Sequence, residues 1–150
     1  MPQSLSSILI HFIFRTKNRQ PLITDNIETE LHKYTATIFR RCKSPVLLIG
    51  GTKDHLHALF ALSRTLAVAD LVEEVKTSSS KWIKTKGHEL RQFQWQAGYG
   101  AFSIGQSNVE ALKRYIARQK EHHRRRSFQD EFRSLCKRYR VEIDERYVWD

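Results

Sequence analysis

Thiols, long apolar runs and acidic charge are all scarce in this chain. Its 150 residues hold only two cysteines, Cys42 and Cys136. Their spacing is not that of metal ligands and nothing requires them to pair, so a cytoplasmic protein with reduced thiols is expected. No stretch is long enough to span a membrane. The apolar start from Ile8 to Phe14 is interrupted by His11 and has no basic residue before it, which suits a buried strand better than a secretory signal. Internal repeats and low-complexity linkers are also absent.

Carboxylates are outnumbered, with 16 Asp and Glu against 26 Lys and Arg, for a formal charge of +10. That balance favours a polyanionic partner. The excess is clustered: Lys113, Arg114, Arg118, Lys120, Arg124, Arg125 and Arg126 crowd one region, and Lys81, Lys84, Lys86 and Arg91 form a second group. Arg118, Arg124, Arg125 and Arg126, with the second group, are the candidate residues for binding such a partner. Eight Phe, five Tyr and three Trp supply the burial that a disordered chain lacks. The length fits a single domain, residues 1–150.

Alternation over residues 5–14 predicts a first, central strand. Thr24 and Asp25 open an amphipathic helix carrying Ile27, Leu31, Tyr34 and Ile38, with Arg40 and Arg41 at its C-terminal end. Val46–Ile49 and His55–Phe60 predict a hairpin joined through Gly50-Gly51-Thr52-Lys53-Asp54. A second helix is expected over residues 66–85, and the small residues Ser78 to Ser80 would admit a phosphate. Short strands are expected at Phe93–Trp95 and Ala101–Ile104, and Gly98 and Gly100 between them mark a tight turn or a close backbone approach. Ser107 and Glu110 form a capping box opening a helix over Asn108–His123. A last helix, Phe128–Tyr139, precedes an acidic tail, Val141–Asp150. This order predicts an α+β fold, an antiparallel sheet with packed helices of ferredoxin-like type.

Two patterns carry chemistry. His55 and His57, at i and i+2 of a strand, project from one face, so both imidazoles can reach one cation while Leu56 points the other way. Tyr115 and Gln119, at i and i+4, share a helix face. Where that helix crosses the strand, Gln119 supplies a third ligand and the Tyr115 hydroxyl lies beside the ion. Such a set can attack a phosphodiester, with Mg²⁺ or Mn²⁺ as the cation. His122 and His123 read as a solvated helix end. Tyr99, Phe102 and Trp82 can stack on bases, although Trp82 suits the core better.

His55-Leu56-His57 after Gly50-Gly51-Thr52-Lys53-Asp54, together with Tyr115-Ile116-Ala117-Arg118-Gln119, resembles the HUH endonucleases, and within them the single-tyrosine transposases of IS200-like insertion sequences. Supporting stretches are His11 to Lys17, Trp95 to Ser103, and His122-His123 followed by Phe128 and Glu131. The resemblance implies an enzyme that cleaves and rejoins single-stranded DNA by transesterification. Tyr115 would form a 5′-phosphotyrosine, assisted by a cation on His55, His57 and Gln119. It also implies a homodimer that recognises DNA hairpins at element ends. The alternatives are a related HUH nickase, a domesticated transposase acting on dispersed palindromes, and a non-catalytic nucleic-acid-binding module.

Overall fold

A computed structural model describes residues 2–150. Four strands form one antiparallel sheet: β1 (Leu9–Arg15), β2 (Val46–Gly51), β3 (His55–Ala61) and β4 (Gly100–Ile104), in the spatial order β2-β3-β1-β4. Helices α1 (Asp25–Arg41) and α2 (Val68–Ile83) cover one face. The other face carries α3 (Val109–Ala117), the short α4 (Gln119–His122) and α5 (Phe128–Arg138). This is the α+β architecture expected from the sequence.

β1 is central and buried along its whole length because both of its faces are covered. Ile10, Phe12 and Phe14 point into the α1/α2 core, where they meet Leu31, Phe39, Leu71 and Val75. Leu9, His11 and Ile13 alternate to the other face. Two glycines let helices seat closely on that face. A Cβ at Gly50 would lie 2.7 Å from both Cγ2 and the carbonyl oxygen of Ile116, and one at Gly100 would lie 2.9 Å from the Phe132 ring. So Gly50 admits α3, and Gly100 admits α5 rather than a ligand.

Several local expectations give way to tertiary packing. Phe93–Trp95 is not a strand, and only an isolated bridge joins Thr16 to Trp95. Its alternation reflects burial, since the Trp95 ring stands edge-on to Phe14 and Phe93 and its indole N–H donates to Ser79 at 2.9 Å. Ser79 is therefore buried beneath Trp95, with no space for a phosphate. The expected single helix over 108–123 breaks at Arg118 (φ −101°, ψ 18°), where the chain tightens into a turn. Ser107 falls within a preceding 3₁₀ turn, and Asn108 takes the N-cap position without a side-chain bond. The acidic tail folds back on α5, with Glu145 paired to Arg133 at 2.8 Å and Trp149 packed beside Phe132. Both cysteines are free, and no helix among the described residues is long and apolar enough to cross a membrane.

Candidate functional site

The hairpin positions His55 and His57. Both project from β3 toward the α3–α5 face, and both are fully buried. Register pairs His57 with Gly50, the glycine over which Ile116 of α3 passes. That crossing brings Tyr115 to the histidines, with ring centroids of Tyr115 and His57 6.0 Å apart. Gln119 follows the break in the helix and turns inward, with its amide oxygen 3.0 Å from His55 Nε2. The break thus preserves the convergence of Tyr115 and Gln119 that the i, i+4 spacing implies.

Glu131, at the start of α5, is the hub of the cluster. Its Oε1 lies 3.1 Å from both His57 Nε2 and His123 Nε2. Its Oε2 accepts from the Tyr115 hydroxyl and, at 3.1 Å, from the Gln119 amide. The sequence marks Glu131 only as part of a stretch that supports the family resemblance and assigns it no role, because it lies 74 residues from His57 in the chain. His123, read as a solvated helix end, instead packs 4.3 Å from the His55 ring. Buried His11 contacts His57 from β1, with Nε2 2.7 Å from Nδ1.

Burial sets the protonation of this cluster. It pushes His57 down to about 4, against the opposing pull of Glu131, and it pushes His11 down to about 3, aided by His57. Both rings are therefore neutral near pH 7. Burial alone would favour neutral Glu131, but hydrogen bonds from His123 and His57 outweigh it and hold the carboxyl far below its usual range. Burial, and then the Glu131 charge, raise the Tyr115 hydroxyl well above an ordinary phenol.

The donor set fits a divalent cation. His55 Nδ1 lies 2.8 Å from an Asp54 carboxylate oxygen, which can only accept, so the proton of a neutral ring sits on Nδ1 and leaves Nε2 bare. The bare Nε2 faces the Gln119 oxygen, whose orientation is set because the amide NH₂ donates to Glu131. With the ring neutral, two lone pairs face each other at 3.0 Å, an apposition that a positive centre relieves. One donor atom each from His55, His57 and Glu131 lies within 4.8 Å of the other two. Imidazole nitrogens with amide and carboxylate oxygens suit Mn²⁺ or Mg²⁺.

The basic residues separate into two regions. Arg118 caps α3 at the break, and Arg124 and Arg126 line a cleft beside Asp54 and His123. Arg125, between them, is exposed. Lys81, Lys84, Lys86 and Arg91 lie at or beyond the end of α2, in the helical layer on the opposite face of the sheet. There Lys86 lies over the Trp82 ring, which stacks on Tyr34. Of the other aromatics, Phe102 is buried against Tyr139, whereas Tyr99 is partly exposed.

The family model described as IS200-like transposase matches residues 4–119. Two solved structures are similar. One is a candidate transposase from Deinococcus radiodurans R1, with a TM-score of 0.65 and 18% identity over 79% of this chain and 98% of that one. The other is a REP-associated tyrosine transposase bound to a REP hairpin, with a TM-score of 0.61 and 14% identity over 82% of this chain and 72% of that one. At such identities the likeness is one of fold. No curated protein sequence matches the chain.

Proposed function

Because the chain belongs to the IS200-like transposase family, we propose that it cleaves and rejoins single-stranded DNA at element ends, with Tyr115 as nucleophile. The observation that carries this reading is the convergence of Tyr115, His55, His57 and Gln119 on one buried carboxylate, Glu131. Hairpin DNA is the proposed partner, a homodimer the proposed assembly and the cytoplasm the proposed location. Helix α5 lies beyond the family match yet supplies Glu131, so we treat residues 1–150 as one catalytic domain.

The chain's own groups divide the work. Tyr115 attacks the phosphorus, forming an Oη–P bond as the P–O3′ bond breaks, which leaves a 5′-phosphotyrosine and a 3′-hydroxyl. Glu131 holds the Tyr115 hydroxyl through the proton that must depart, and keeps Gln119 turned with its oxygen toward His55. Asp54 and His11 orient His55 and His57 from behind. A divalent cation on His55, His57 and Gln119, with Glu131 as a further donor, would polarise the phosphate and offset the charge that raises the Tyr115 hydroxyl. Rejoining is the reverse step, with a 3′-hydroxyl attacking the phosphotyrosine, so no external energy source is needed. Arg118, Arg124, Arg125 and Arg126 would meet phosphates near the break. Lys81, Lys84, Lys86 and Arg91, on the far face, would meet a different part of the DNA.

The test is to incubate the protein with a single-stranded hairpin substrate and Mn²⁺ or Mg²⁺, denature it, and map any adduct by mass spectrometry. A 5′-linked nucleotide on Tyr115 is expected. Cleavage that leaves free 5′-phosphate without an adduct would instead indicate a hydrolytic nuclease, and binding without cleavage a recognition module.

A further inference from the structure

Beside Tyr115 a groove of about 560 Å³ opens between α3 and α5. Its two walls repeat one pattern. Asn108, Ala111, Leu112 and Tyr115 line one side at the spacing of a single helix face. The other side carries the same series on α5, beginning at Glu131 and ending at Arg138. Helices that packed directly together here would interlock large side chains. Instead the walls have small residues at their middles, Ala111 and Ser134, and the space between them stays open beside the Arg126 guanidinium, which donates to the Ser134 hydroxyl.

The ends of the groove differ chemically. At one end the Tyr115 hydroxyl meets Glu131. Seven residues along each helix, about 10 Å by helical rise, Asn108 and Arg138 mark the other. The length suits one nucleoside and excludes a duplex. Leu112, Leu135 and Tyr139 present apolar surface to a base, and the Tyr139 ring is held flat against buried Phe102 at 4.8 Å. The Asn108 amide can both donate to and accept from a base edge. Arg126 lines this groove and also the basic cleft on the other side of the site, which Lys53, Lys120 and Arg124 share. A single strand can therefore run from the groove, past Tyr115, into the cleft.

We propose that the α3–α5 groove receives one of the two nucleosides that flank the scissile phosphate, taken out of any stack, and so fixes where along the strand Tyr115 attacks. The proposal rests on the transposase reading. It adds a base-binding subsite, and with it a reason why single-stranded DNA is the substrate: a paired base would have to be extruded to enter.

The experiment measures the rate of covalent adduct formation on single-stranded substrates with Mn²⁺. Substrates lacking the base on the 3′ side or the 5′ side of the break are compared with the intact strand, using wild type and Ala111→Trp, which fills the groove. One abasic substrate should react about tenfold or more slowly with wild type, as loss of a stacked base implies, and its position identifies the nucleoside. Ala111→Trp should slow the intact substrate similarly and have little further effect on that abasic one. If Ala111→Trp does not fold by circular dichroism, Ser134→Phe fills the groove from the other wall. Adducts that form equally well on all substrates, or a filled groove that slows every substrate alike, would overturn the subsite alone. A wild type that forms no adduct on any substrate would overturn the transposase reading, and the subsite with it.

Discussion

Gln119 Oε1 and His55 Nε2 lie 3.0 Å apart, and in a neutral ring whose proton Asp54 holds at Nδ1 they have no proton to share. Such an apposition costs free energy unless a positive centre relieves it. A cation bound between them would relieve it, which makes the pair a test of the proposed ligand set. Asp54→Asn removes the carboxylate that sets the ring's proton, and should weaken Mn²⁺ binding about 10–100-fold. His55→Ala should eliminate saturable binding. Titration followed by electron paramagnetic resonance measures both, and unchanged affinity in either variant would refute the ligand assignment.

Tyr115→Phe deletes the hydroxyl that donates to Glu131 while keeping the ring beside His57 and His122. No covalent DNA product should form, and affinity for hairpin DNA should be retained. Loss of a hydrogen bond to a buried carboxylate should also lower stability by roughly 1–2 kcal/mol. Urea denaturation checks the second effect independently of any substrate. An adduct formed by this variant would move the nucleophile elsewhere.

Gly50 and Gly105 make a matched pair of tests. A methyl at Gly50 would lie 2.7 Å from Ile116, whereas one at Gly105 meets nothing within 4 Å, and Gly105 has an ordinary φ of −77°. Gly50→Ala should destabilise the fold by about 1–3 kcal/mol through overpacking, and should displace Tyr115 with α3. Gly105→Ala should be neutral or stabilising by up to about 1 kcal/mol. Equal effects in urea titrations would show that α3 is not seated by the Gly50 contact.

Neutralising Arg124, Arg125 and Arg126 to Gln should flatten the salt dependence of DNA binding. Each phosphate contact on a single strand contributes about 0.7 to the slope of log K against log salt, so three contacts account for about 2. The same substitutions at Lys81, Lys84 and Lys86, on the far face, should leave the cleavage rate of bound substrate unchanged. A triple arginine variant with the wild-type slope would remove these residues from the interface.

Local pattern was enough for much of this architecture. Period-two alternation marks β1 and β3, period-3.6 stripes mark α1 and α2, strand geometry puts His55 beside His57, and the turn at Arg118 keeps Tyr115 near Gln119 although the helix ends between them. Those relationships span two to four residues, so the sequence by itself determines them. Where burial rather than backbone pairing generates the same pattern, as at Phe93 and Trp95, the alternation misleads. Ser107 likewise carries the letters of a cap, but the 3₁₀ turn moves the helix start past it.

Only the tertiary structure decided the composition of the site. Glu131, His123 and His11 come from α5, the turn after α4, and β1, and each meets a β3 histidine across 46 to 74 residues of chain or through another side chain. Their stretches support the family resemblance, but nothing local gives them a place in the site, since each also reads as an exposed helical acid, a solvated helix end or a polar interruption in a strand. Their chemistry arises because Gly50 and Gly100 let α3 and α5 approach the sheet closely, excluding water from charges that a shallower packing would leave solvated.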